Sequence, residues 1–164
     1  MEEIKERLDR LKRKIQTEDF LLGRGLSNEV NFWIFCYEPE EEMIIEHFVD
    51  SLVVDHNIEC SIHSYNLYKV FLDICNSKNI LSKIPTMEEK KGKDYLLRQI
   101  HSIATESAFI SQINFEPQVR GKDVVLISGV GDVFPFMRVH SLLEAMQPHF
   151  SNIPILILYP GKYE

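Results

Sequence analysis

The stretch Leu126-Ile127-Ser128-Gly129-Val130-Gly131-Asp132-Val133-Phe134-Pro135 has the order of a strand entering a glycine turn and then a helix. Many phosphate-binding and catalytic loops begin this way. Three templates can be laid on it. A dinucleotide loop needs Gly-x-Gly-x-x-Gly, so that backbone reaches a pyrophosphate and the helix packs close to its strand. Gly129 and Gly131 take the first two places, but Phe134 takes the third and is too bulky for that packing. A Walker-type loop needs Gly-Lys-Ser/Thr, and the chain has no such triplet. A nucleophile elbow needs glycine two residues either side of its serine, and Leu126 stands two before Ser128. The remaining reading is structural. Gly131 supplies a positive φ, Gly129 allows a close backbone approach, Asp132 caps the helix, and Pro135 falls in its first turn. Arg138 and His140 then lie in the first turns of that helix. An arginine in such an apolar segment either pairs with a carboxylate such as Asp132 or serves a partner. A nucleotide- or phosphate-binding enzyme using residues 128–132 with Arg138 stands as the alternative.

No other residue set announces chemistry. The histidines are His47, His56, His63, His101, His140 and His149, and no two have the spacing of a zinc-protease helix. The cysteines are Cys36, Cys60 and Cys75, odd in number and widely spaced, with no Cys-x-x-Cys. They read as buried, reduced thiols, Cys36 and Cys60 on strands and Cys75 on a helix face. The run Glu38-Pro39-Glu40-Glu41-Glu42 could suggest metal binding. It reads better as a helix start, where proline loses no bond and carboxylates meet the positive helix end. No catalytic, metal or cofactor site is expected.

The elements that must position these residues follow from apolar spacing. Residues 3–17 show Ile4, Leu8, Leu11 and Ile15 on one side of an amphipathic helix reaching about residue 20, with charge elsewhere. The narrow stripe suits the core or a partner, and Lys12-Arg13-Lys14 suits the negative helix end. A loop at 23–29 leads into a strand at 30–37, aromatic and β-branched, expected to be covered on both faces. Met43, Ile44, Phe48, Val49 and Leu52 make a wide stripe on the next helix. A strand at 58–64 and a helix at 66–77 follow. Residues 82–118 read as helices with breaks, Thr86 and Glu89 having capping-box spacing and Gly92 interrupting. The strand 124–128, the helix 135–150 and the strand 153–159 follow, and between Val124 and Tyr159 the only charges are Asp132, Arg138 and Glu144, which makes this unit the heart of the core. Alternating strands and helices predict a single α/β domain over 1–164. It is three-layered, with a mostly parallel sheet of about four strands and helices on both faces, P-loop- or Rossmann-like without a phosphate-binding motif.

Composition narrows the function classes. At 164 residues the chain can bury a real core without disulfides or metal. Its net charge of −7 argues against direct nucleic-acid binding, which draws on a basic surplus. Met1 leads straight into charge and no run of about 18 residues is apolar, so no secretory leader and no membrane span are expected. The cytoplasm is the expected location.

Three separated pieces taken together resemble a known family. They are GRGLSNEVNFWIFCYEPEEE at 23–42, LISGVGDVFPFMRVHSLLEAMQ at 126–147 and IPILILYPGKYE at 153–164. The chain is similar, over nearly its whole length, to the BrxB family of BREX, the bacteriophage-exclusion systems of bacteria and archaea. The resemblance implies a small non-enzymatic component acting alongside a DNA methyltransferase, a large ATPase and an alkaline-phosphatase-like protein, PglZ. Association with PglZ, and possibly other BREX proteins, is what it favours. The motif residues carried over are Gly129, Gly131, Asp132, Pro135, Arg138, Tyr159, Pro160 and Gly161, with Gly25, Asn28, Glu29, Tyr37 and Pro39 beside them. They are expected at loop ends on one edge of the sheet, as an interaction rim. The resemblance also implies a short aromatic-rich tail after Tyr-Pro-Gly, which is not among these 164 residues.

Overall fold

The computed structural model describes residues 3–23 and 31–163. They form two compact units, each built from separate stretches of chain. The first takes Met1–Tyr65, Phe115–Ser128 and His149–Glu164, and the second Asn66–Asn114 and Gly129–Pro148.

The first unit holds the sheet. Its strands are β1 (Phe32–Tyr37), β2 (Ser61–Asn66), β3 (Asp123–Ser128) and β4 (Ile155–Pro160), in spatial order β1-β4-β3-β2. All four run parallel. β4 pairs with β1 from Phe32↔Ile155 to Tyr37↔Pro160 and with β3 from Val125↔Ile155 to Ile127↔Ile157. On one face Val124, Leu126, Leu156 and Leu158 form a core with helices α1 (Ile4–Lys14), α2 (Glu18–Leu22) and α3 (Glu42–Val54). The alternate residues Val125, Ile127, Ile155 and Ile157 are fully buried too. A strand buried on both faces reads as a continuous apolar run because neither side meets water. That pattern belongs to a three-layer α/β fold, as the sequence predicts.

β1 departs from expectation. It lies at the sheet edge among the described residues, and its face away from α1 is only partly covered, with Ile34 keeping 36% of its surface exposed. Trp33 and Phe35 pack toward the core of α1 and α2, while the intervening residues face the other way. The expected N-terminal helix is two helices. α1 ends at Lys14, and Thr17 then caps α2 by accepting from Phe20 N at 3.3 Å. Lys12 is more than a solvated charge. Its ammonium meets Asp55 at 2.9 Å, next to the end of α3, and holds that carboxyl below the usual range. The Glu38 run does start a helix: Pro39–Glu41 form a 3-10 turn closed by a Glu38–Glu41 capping box, and α3 continues from it. The α3 stripe splits. Ile45, Val49 and Leu52 are buried, whereas Met43 and Ile44 are exposed.

The second unit is helical: α4 (Leu67–Ser77), α5 (Ile84–Lys91), α6 (Lys93–Ile103), α7 (Glu106–Ile113), α8 (Val130–Val133) and α9 (Val139–Met146). α4 packs on α6, α7 and α8, and α9 on α7. Asn66 caps α4, its side-chain oxygen accepting from Tyr68 N at 3.0 Å and Lys69 N at 3.1 Å. Thr105 caps α7 in the same way through Ala108 N at 3.2 Å. Thr86 lies inside α5, so the spacing read as a capping box does not cap. Gly92 separates α5 from α6 as expected.

Candidate functional site

The glycine loop is a fold device. Gly129 takes the left-handed conformation, φ 70° and ψ 20°, and α8 starts at the next residue. Val133 N donates back to Gly129 O at 3.2 Å, which closes a single turn. A Cβ on Gly129 would stand 2.3 Å from Asn66 Oδ1. The missing side chain leaves room for the asparagine that caps α4. The positive φ and the close approach thus both belong to Gly129, not divided between it and Gly131. Gly131 is helical and exposed, and Asp132 lies within α8 on the surface without capping it.

α8 ends at Val133, so Pro135 lies in the following turn and not in a first helical turn. That turn is pinned on both sides of an exposed tip. Val133 and Met137 are buried. The Phe136 ring stacks on Phe71 of α4, 4.5 Å between centroids and 4° from parallel. His101 of α6 donates through Nε2 to Pro135 O at 3.0 Å. Between these anchors Phe134 stands 65% exposed. Arg138, the N-cap residue of α9, is exposed and not ion-paired to the exposed Asp132. The pairing alternative for Arg138 therefore falls. Beside the turn lies a notch of about 180 Å³ lined by His101, Thr105, Glu106, Pro135, Arg138 and Ser141. Ligand sites for nucleotide-sized molecules begin at roughly 300 Å³.

The second group of motif residues lies in the first unit. β1, β3 and β4 run parallel, so Tyr37, Ser128 and Pro160 end on one edge of the sheet. Gly161 N donates to Tyr37 O at 2.7 Å, extending the β1–β4 ladder by one bond. Its φ of 89° turns the chain, and Tyr163 then meets Tyr159 edge-on at 5.2 Å. Tyr37 donates its hydroxyl proton to the Glu42 carboxylate. Pro39 opens the 3-10 turn. Gly25, Asn28 and Glu29 lie outside the described residues. Among the described residues no three His, Cys, Asp or Glu side chains come together as a metal site.

Sequence reading missed the exposure of Phe134, the role of Asn66 and one histidine–aspartate pair. His63 Nε2 lies 3.0 Å from Asp123 Oδ1, and the ring stacks on Phe115 at 3.9 Å. The other oxygen of the buried Asp123 accepts from Val119 N at 2.7 Å. With both carboxylate oxygens engaged and one ring face covered, the pair fastens β2 to the start of β3. Nothing in local spacing could signal it, since the partners are far apart in the chain.

Only Cys75 of the three thiols is buried; Cys36 and Cys60 are half-buried, and Cys60 precedes β2 instead of lying in it. Burial pushes the Cys60 thiol up to about 11 and raises Cys75 as well. A thiol titrating that high carries roughly one thiolate in a thousand at pH 8, and the thiolate is the nucleophile. In a Cys36→Ser variant, iodoacetamide labelling of Cys60 followed by mass spectrometry should run on the order of a hundredfold slower than for a free cysteine peptide. Labelling at the peptide rate would refute the assignment.

Among the described residues no helix is long and apolar enough to cross a membrane. A family model described as BREX protein BrxB matches residues 63–164, more than half of the chain. The chain is 35% identical to a BREX protein BrxB of Bacillus cereus (strain H3081.97), the alignment covering all of this chain and 88% of the relative. It is 27% identical to a BREX protein BrxB of Escherichia coli O9:H4 (strain HS), covering 96% of this chain and 78% of that one. No solved structure matches the chain significantly. With a family model matching more than half of the chain and a relative above 30% identity along its whole length, the chain belongs to the BrxB family of BREX phage-defence components.

Proposed function

We propose that this chain is a non-enzymatic, cytoplasmic adaptor of a BREX system, and that it docks the alkaline-phosphatase-like protein PglZ through the turn from Phe134 to Arg138. The observation that carries the reading is the exposure of Phe134 at 65% on a turn whose neighbours are buried or stacked. An aromatic ring held out in water gains by burial against a partner, and aromatic and arginine side chains dominate binding energy at interfaces. The Phe136–Phe71 stack and the His101 bond hold the tip in place beforehand, which lowers the ordering cost of association. Arg138, exposed four residues on, supplies a charged rim.

The test is co-elution of the chain with PglZ from the same operon at micromolar concentration. Phe134→Ala should weaken that association about tenfold or more while leaving the melting temperature nearly unchanged, because the ring packs on little in the free protein. Failure of the unaltered chain to co-elute would remove PglZ as the partner. Undiminished binding by Phe134→Ala would remove this turn as the surface.

A further inference from the structure

We propose that the outer edge of β1 binds an extended, acidic segment of a partner protein, which adds to the sheet as a further strand. The inference concerns a different surface from the Phe134 turn and does not require PglZ to be the partner.

Backbone direction carries the first part. Asn31 O accepts from Ile155 N at 2.9 Å and Tyr37 O from Gly161 N at 2.7 Å. In a parallel ladder successive residues point alternately to either side, so the odd-numbered residues of β1 face β4. The N–H and C=O groups of Phe32, Ile34 and Cys36 therefore point away from β4, and β4 is the only strand neighbour of β1 among the described residues. The Arg7 guanidinium confirms the direction by donating to Cys36 O at 2.5 Å. That bond terminates the edge at its C-terminal end. Phe32 and Ile34 stay directed outward, with Ile34 36% exposed.

Charge carries the second part. A groove of about 260 Å³ runs beside the strand, lined by Arg7, Arg10, Leu11, Lys14, Trp33, Ile34 and Phe35 among others, and no acidic residue lines it. Arg7 sits 4.5 Å over the Phe35 ring and Lys14 4.3 Å over the Trp33 ring. Three cations along one side of α1 stand out in a chain of net charge −7. A strand presenting carboxylates at every second residue would place them on that side, while its apolar residues meet Ile34. A second copy of this chain would bring like charge to like charge. A single-stranded nucleic acid would need open aromatic faces, and those of Trp33 and Phe35 already carry cations.

The probe is a labelled, capped peptide of about eight residues alternating valine and glutamate. Fluorescence anisotropy should show saturable binding that weakens at least about fivefold between about 50 and about 300 mM NaCl, as screened ion pairs do. Arg10→Glu and Lys14→Glu should each weaken it about tenfold. Arg7 is left intact because its loss would also free the Cys36 carbonyl. Circular dichroism checks that both variants stay folded. The Ile34 amide should exchange more slowly with the peptide bound. Absence of saturable binding, equal binding of a valine–lysine peptide, or binding unaffected by both reversals would overturn the proposal. So would capture of an oligothymidine by the same cations, or a dimer of the free chain that the reversals dissolve.

Discussion

Gly129→Ala should destabilise the protein by about 3 kcal/mol, against almost no loss, or a small gain, for Gly131→Ala. Two penalties combine at Gly129. An alanine at φ 70° pays about 1–2 kcal/mol for the left-handed conformation. Its Cβ would also lie 2.3 Å from Asn66 Oδ1 and 2.7 Å from Asn66 Cγ, so the asparagine must leave. The displaced group is the cap of α4, worth about 1 kcal/mol more. Gly131 sits in exposed helix without a positive φ, where alanine is the better helix former by up to about 1 kcal/mol. Urea unfolding of both variants reads the difference. A cycle with Asn66→Ala sharpens it, because the double variant should lose clearly less than the two single losses added together. Equal stabilities for the Gly129 and Gly131 variants would show that the loop is not held by this contact. The phosphate-loop alternative makes a different demand: both glycines would then matter for nucleotide binding, which a thermal shift with millimolar ATP, GTP or NAD would read.

Leu126→Ala should cost a further class of loss, about 3–4 kcal/mol, near the upper half of the range for buried leucines. Leu126 is 1% exposed on β3 and belongs to one core cluster with Val124, Leu156 and Leu158 of the sheet and Ile45, Val49 and Leu52 of α3. Removing its isobutyl group takes away contacts from strands on one side and a helix on the other, which cannot both collapse inward. Ile34→Ala on the edge strand is the internal control and should lose less than about 1 kcal/mol, since Ile34 already meets solvent. The comparison uses chemical denaturation at matched conditions. Similar losses at the two positions would contradict the placement of β1 at the edge and β3 in the interior.

The two surfaces proposed above differ in character. The Phe134 turn displays one aromatic ring on a pinned scaffold, and the β1 edge offers backbone groups and cations. The proposed adaptor role would call for more than one contact surface, and these two can be disabled separately by Phe134→Ala and by Arg10→Glu with Lys14→Glu.

Much of the architecture is legible in local sequence. β3 and β4 read as doubly buried strands because continuous apolar runs suit only a segment shielded on both sides. α4 and α9 show their buried stripes, and Glu38–Glu42 shows its helix start, because spacing and capping act within a few residues. The residues of Gly129 to Arg138 and of Tyr159 to Gly161 are also visible in the sequence. What they do is not. Asn66 sits far from Gly129 in the chain, so only packing could reveal which glycine needed to lack a side chain. Whether Arg138 reaches Asp132 depends on where α8 stops, and it stops after one turn. The aromatic run of β1 looks the same at an edge as in a centre, because strand order is set by long-range pairing. For the same reason the α3 stripe could not say which half would be buried. Local preference and apolar spacing determined the elements, and long-range contact alone decided which of their side chains face the core and which remain on display.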